Sequence, residues 1–222
     1  MSDLRRALGQ FTTPEGRLVS PLYLNEPDSK FQPEPEKQKY KASILLSGEG
    51  AKSFLAKVES TMDEWVKIVT TASGKKPRRV KKNVQWLTHD TERWDDIGES
   101  VAKLLDSLEE DQAVFKTGTK AFRRTRDGIL EPAGPRIFDA QGALMSDVPP
   151  VGFGTRCKLA GSFYGYTASG VANMTLLLSA VQIIELREPG VGGGSQEAAD
   201  FGFSPTEGFK AEEVATAADY DF

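Results

Sequence analysis

Apolar residues change their spacing at Glu49 and again near Ala113, and those two changes divide the chain into elements. The runs RLVSPLYL (17–24) and YKASILLSG (40–48) are short, apolar and rich in branched side chains, as strands are. Between them NEPDSKFQPEPEKQ predicts a surface loop, because its prolines exclude regular structure, and the first residues read as a polar lead. From Glu49, Phe54, Val58, Met62, Trp65, Val66 and Val69 recur at three- and four-residue steps, which predicts one face of a helix running to about Thr71. A second stripe, Trp94, Ile97, Val101, Leu104, Leu105 and Leu108, predicts another helix, with Asp90 or Thr91 as its cap and Asp95 and Asp96 favourably placed at its positive end. Both stripes read as core. Beyond Ala113 come β-like runs, AVFKTGTKAFRRTR, PRIFDAQG, TRCKLAGSFYGYT and VANMTLLLSAVQIIEL, with DGI and AQG supplying turns.

Five or six strands with helices inserted after the second suit a mainly β (α+β) fold, a small Greek-key barrel of the OB type, better than a parallel α/β sheet. The predicted organisation is a domain over 1–189, with helical insertions at 49–72 and 91–110, followed by GVGGGS and an acidic tail over 190–222. Glycines are costly to order without contacts and the tail is poor in large aliphatic residues, so it is expected to lack regular structure.

Composition agrees with one core plus appendages: 39% of the 222 residues are hydrophobic and 27% charged. No apolar stretch approaches a membrane span, and MSDLRRALGQ lacks the apolar block of a signal peptide, so a soluble intracellular protein is expected. One cysteine, Cys157, and one histidine, His89, exclude an internal disulfide and a zinc cluster of the usual spacing, and no cofactor is expected. Charge changes the picture more. Residues 196–222 hold seven acids and Lys210, a formal −6, which leaves +2 on the rest of a chain whose total is −4. A mildly basic body can bind polyanions that its own tail repels or mimics.

The basic residues are clustered. KKPRRVKK packs Lys75, Lys76, Arg78, Arg79, Lys81 and Lys82 into eight residues, and Pro77 keeps the run out of a helix. That is the composition of a phosphate-tracking loop, or of a solvated basic linker. KTGTKAFRRTR places Lys116, Lys120, Arg123, Arg124 and Arg126 around Phe122; on a regular strand Lys120, Phe122 and Arg124 would share one face. Arg156 and Lys158 lead into GSFYGYT, where alternation gives Phe163 to the core and Tyr164 and Tyr166 to the surface, beside glycines that could leave the rings open to bases. Cations and flat rings together are what single-stranded nucleic acid requires; duplex DNA would need a recognition helix, and both helices spend their apolar faces on packing. No phosphate loop, HExxH or nucleophile elbow is present, and nothing places an acid or nucleophile near His89, so no enzyme is expected.

Taken in order, SPLYLNEPD, YKASILLSG running straight into a helix, DVPPVGFGTRCKLAGSFYGYT, ANMTLLLSAVQIIEL, a glycine run and an acidic end at Phe222 resemble the single-stranded DNA-binding proteins of tailed bacteriophages, of the T-odd podophage and Enc types. The resemblance implies an OB-fold with a helix inserted between barrel strands, a basic aromatic groove in which Tyr166 stacks on bases, and an acidic tail (Asp219, Tyr220, Asp221, Phe222) that contacts replication and recombination partners. The expected function is non-catalytic coating of single-stranded DNA in phage replication, recombination and repair, in the cytoplasm of the infected host. The expected partners are the phage DNA polymerase and helicase/primase, with a homodimer left open. The tail, alternating charge and rings, could also occupy the groove until DNA displaces it. The chain departs from the family pattern at TASG after Tyr166 and in the long insertion from Arg78 to Asp111, whose helix could cover the groove, support a dimer or pack on the barrel. The rival reading is a phage assembly protein whose basic loop and acidic tail bind each other.

Overall fold

The computed structural model describes residues 4–30, 33–77, 85–92 and 98–189. Arg78, Arg79, Lys81 and Lys82, Trp94, Asp95, Asp96 and Ile97 of the predicted second helix, and the tail with Asp219, Tyr220, Asp221 and Phe222 lie outside the described residues.

In chain order the strands are β1 (Arg5–Thr12), β2 (Gly16–Asp28), β3 (Lys39–Ser47), β4 (Trp86–Thr88), β5 (Gln112–Lys120), β6 (Phe122–Arg124), β7 (Leu130–Pro132), β8 (Arg136–Phe138), β9 (Arg156–Ala168) and β10 (Val171–Glu185). Helix α1 (Gly48–Ser73) follows β3 directly, and α2 (Glu99–Asp106) precedes β5. The chain is therefore mainly β with few helices. Strands β9, β2, β3, β5 and β10 pair in that order, and β10 pairs back onto β9, which closes a five-stranded ring. The ring is antiparallel except where β10 meets β5. β1 continues the edge of β9 beyond β2, β4 adds to β5, β8 adds to β10, and β6–β7 is a separate ribbon.

Closure follows from alternation. Along β9 every second residue from Cys157 to Thr167 is buried, and β10 repeats the pattern at Ala172, Met174, Leu176 and Leu178, so each strand turns one face to a common interior. Helix α1 plugs that interior with Ala51, Phe54, Val58, Met62, Trp65 and Val69. Phe54 meets Phe11 and Phe115 edge-on at 5.8 and 4.7 Å between ring centres. Gly161 and Gly165 belong to this packing. A Cβ on Gly165 would stand 2.5 Å from the Trp65 indole, and one on Gly161 would strike the Leu177 carbonyl, so these glycines clear space inside the barrel rather than exposing the neighbouring tyrosines.

Four expectations are corrected. The loop predicted to start at Asn25 is strand as far as Asp28, because β2 shifts register between Val19 and Leu22 and between Tyr23 and Asp28, and those irregularities accommodate Pro21 and Pro27. The polar lead is strand β1, an edge strand whose one buried side chain is Phe11, so it carries no apolar alternation to read. The run from Ala113 to Arg126 is two strands: Ala121, buried and bonded through its N–H to the Gln38 carbonyl at 2.9 Å, separates β5 from β6. The second helix spans Glu99–Asp106 with Gly98 at its N-cap, and Thr91 instead closes a turn, its hydroxyl accepting from the Thr88 N–H at 2.8 Å. No helix among the described residues is long and apolar enough to cross a membrane.

Candidate nucleic-acid interface

Strands β3 and β5 turn Ala42, Ile44, Leu46, Ala113 and Phe115 to the core, so the residues between them face outward. Register sets those residues opposite one another: Lys39 faces Lys120, Lys41 faces Gly118, Ser43 faces Lys116, and Leu45 faces Val114. On β2, Tyr23 stands opposite Lys41, whose ammonium lies 5.7 Å from the ring centre. One outer face thus carries four lysines and a tyrosine at one end, and aliphatic side chains at the other.

At the lysine end a cleft of about 400 Å³ is lined by Asp28, Glu36, Lys37, Lys39, Lys41 and Lys120. Its acids are already engaged. Asp28 accepts from Lys41 at 2.5 Å; the Lys41 ammonium holds its carboxyl below the usual range, against the opposing effect of burial. Glu36 pairs with Arg124, and Lys37 pairs with Glu34 at 2.9 Å. Lys39 and Lys120, directly opposite each other, have no ion pair among the described residues. Lys116, half-buried on the same face, has its ammonium pKa pushed down by desolvation.

At the other end the face is covered. Val101, Leu104, Leu105 and Leu108 on and just after α2 pack with Leu87 and Val114 and reach Val19 and Leu45. Of the three roles left open for this helix, packing on the barrel is what the described residues display, and it occupies part of the outer face.

The other expected residues are distributed as follows. Lys75 and Lys76 are exposed just past the glycine that ends α1. Phe122 is half-buried on β6 opposite Pro132, in a different strand from Lys120, so the common face expected for Lys120, Phe122 and Arg124 does not exist. Arg123 pairs with Glu131 at 3.1 Å, and the pair of Arg124 with Glu36 ties the β6–β7 ribbon to the turn at Pro35–Lys37 beside the cleft. Arg126 is exposed. Arg156 donates to Glu15 at 2.7 Å and to Glu185 at 2.8 Å; these bonds raise its pKa and commit the guanidinium to a clamp between β9, β10 and the β1–β2 link. Lys158 points outward opposite Gln182.

Phe163 is buried, as alternation requires, and Tyr164 and Tyr166 are half-buried on the opposite face, with Arg5 across from Tyr166. They stand on β9, two strands around the ring from β5, and a closed barrel turns its outward direction at every strand. The tyrosines therefore form a second surface, separate from the lysine cleft. Lys39, Lys41 and Tyr23 were not singled out in the sequence; the parity of YKASILLSG puts Lys41 and Ser43 on one side, and the strand proves to begin one residue earlier, which adds Lys39 to that side. Among chemically reactive groups, His89 is exposed beside Asp90 at 3.4 Å, and burial pushes the Cys157 thiol up to about 12, which leaves it protonated and unreactive.

No protein-family model matches the chain, and no curated protein matches its sequence. Its fold, however, is that of solved single-stranded DNA-binding proteins of bacteriophages. The bacteriophage T7 single-stranded DNA-binding protein gp2.5 aligns over 92% of this chain and 99% of its own, with a TM-score of 0.61 at 19% identity. The bacteriophage Enc34 single-stranded DNA-binding protein in complex with single-stranded DNA aligns over 82% and 89%, with a TM-score of 0.55 at 11% identity. A further structure of the Enc34 protein aligns over 88% and 90%, at 0.54 and 12%. The resemblance read from the order of the segments is thereby matched at the level of fold.

Proposed function

We propose that the chain is a phage single-stranded DNA-binding protein of OB-fold architecture, acting without catalysis in DNA replication, recombination and repair inside the infected host. Numbered along the barrel, β2, β3, β5, β9 and β10 run in the ring order 1-2-3-5-4-1, which is the Greek-key order of an OB barrel, and in that fold the face of the second and third strands takes oligonucleotides. Those strands are β3 and β5. The observation that carries the reading is their outward row of Lys39, Lys41, Lys116 and Lys120 with Tyr23 alongside: cations for phosphates next to a flat ring for a base. The neighbouring ribbon adds Arg126, and Lys75 and Lys76, exposed after the end of α1, are proposed as further phosphate contacts.

Residues 1–189 are proposed as the binding domain and 190–222 as a linker and tail. Asp219, Tyr220, Asp221 and Phe222 offer a replication polymerase or helicase a charged, aromatic recognition element, and the same tail competes with DNA for the lysine face. Because the tail is tethered, its local concentration is in the millimolar range, so weak contacts suffice.

Anisotropy titration of a labelled oligonucleotide over a series of salt concentrations tests the reading. With about five phosphates neutralised, log affinity should fall with log salt at a slope of about −3.5, and the matching duplex should bind more weakly. Salt-independent affinity, or equal affinity for duplex, would sink it, and no binding at low salt would favour the assembly role.

A further inference from the structure

The turn Gly152, Phe153, Gly154 leads into β9 and is held from both sides. The Gly152 N–H donates to the Arg187 carbonyl at 2.6 Å, and the Gly154 N–H donates to the Leu18 carbonyl at 2.8 Å. The Thr155 hydroxyl donates to the Arg187 carbonyl at 3.2 Å and accepts from the Arg187 N–H at 3.1 Å. A Cβ on Gly152 would lie 2.7 Å from the Glu188 backbone, and Gly154 has φ +81°, so neither position tolerates another residue without strain. A turn pinned in this way cannot fold its middle residue inward, and Phe153 stands 53% exposed.

An isolated exposed ring is ordinary. This one borders a hollow of about 300 Å³ that it shares with Arg17, Val19, Leu45 and Arg187. Arg17 and Arg187 have no ion pair among the described residues, although the neighbouring Arg156 has two. Arg17 faces Leu45 across β2 and β3, so the hollow lies along the same strands as the lysine cleft, past Val19 and Leu45. From Lys39 to Leu45 is about 20 Å of strand.

We infer that Phe153, Arg17 and Arg187 form a second base-stacking subsite, which holds single-stranded DNA at the end of the barrel away from the lysine cleft. The inference rests on the single-stranded DNA reading given above. A rigid ring stacks on any base without a preference for sequence, and the two guanidiniums that line the same hollow take neighbouring phosphates. The two subsites lie along β2 and β3, and α2, packed against Val19 and Leu45, borders the hollow.

The test uses the full chain and a labelled oligonucleotide of about 16 residues, within the range of site sizes known for such barrels. Phe153→Ala should lose about tenfold in affinity with an unchanged thermal midpoint, since the removed ring is exposed. Phe153→Trp should recover the affinity, and its added emission should be quenched on binding. Arg17→Gln and Arg187→Gln should each make the salt slope shallower by about 0.7. Wild-type affinity in Phe153→Ala, together with unquenched emission from Phe153→Trp, overturns the subsite while leaving single-stranded DNA binding intact. Absence of binding by the unaltered protein overturns both.

Discussion

The two ends of the β3–β5 outer face are made from the same two strands and differ in what lies on them. At one end Leu45 and Val114 sit under α2 in a small second core with Leu87, Leu105 and Leu108. At the other, Lys39 and Lys120 face each other across the ladder with no acid paired to either among the described residues. Like charges directly opposite on neighbouring strands destabilise a sheet, so the lysine end is a local conflict that folding alone does not require. The contrast separates two uses of outward positions. Where the exterior is apolar, another element covers it and it contributes to stability. Where it is basic and open, it costs stability and is available to a polyanion.

The largest effect should come from breaking the covered end. Among the described residues Leu87 is fully buried in a cluster with three other buried side chains, so a cavity there is shared out among few neighbours. Leu87→Ala should lower unfolding stability by about 2–5 kcal/mol in urea titration, while the protein that remains folded keeps its oligonucleotide affinity. A loss below about 1 kcal/mol would mean that α2 contributes little as a core element. Lost affinity in the folded protein would mean that the two ends are not independent.

This contrast was half legible in the sequence. The long alternating strands β9 and β10 and the face of α1 were readable because periodicity records burial directly, and each of these elements lies against the main core on one side. Strand β1 was not, because an edge strand that buries only Phe11 leaves no period. The break at Ala121 was not either: a small buried residue looks the same inside one strand as between two. For the site, clustering in sequence drew attention to KKPRRVKK and FRR, but Arg123 and Arg124 turned out to be paired with Glu131 and Glu36. The open lysines Lys39 and Lys120 are 81 positions apart in numbering and become neighbours only through ladder register. The hollow at Phe153 needs β2, β3, the turn before β9 and the segment after β10 to come together, which no local pattern encodes.

The open end should show a smaller effect, read in DNA binding rather than in stability. Lys39→Gln with Lys120→Gln removes the uncompensated cross-strand pair. The salt slope should become shallower by about 1.4, two phosphates at roughly 0.7 each, with affinity near 0.1 M salt down by about tenfold or more. Thermal stability should hold or rise slightly, because a like-charge pair is gone. Arg156→Gln is the matching control, since its guanidinium is already shared between Glu15 and Glu185, and its salt slope should equal that of the unaltered protein. If the control loses as much slope as the double variant, the distinction between paired and open cations fails.

The smallest effect should lie at the boundary, at Lys116, which is opposite Ser43 and one outward step from Val114. Its ammonium pKa is lowered from 10.5 by desolvation, so the folded protein releases this proton at a lower pH than the unfolded chain does. Below both values the folded state carries the full penalty of a half-buried charge. Between them the unfolded chain binds more protons, so the contribution of this residue to stability rises with pH across that interval. Lys116→Met, which fills the same space without charge, should therefore be more stable than the unaltered protein near neutral pH, by under about 1 kcal/mol. That advantage should shrink as pH approaches 10.5, and comparison with the variant cancels the opposite trend from the buried Cys157 thiol. The salt slope should also become shallower by about 0.7, which would place the boundary residue with the binding end of the face. A stability gap that stays constant or widens with pH would instead assign Lys116 to the solvated surface, where neither end governs it.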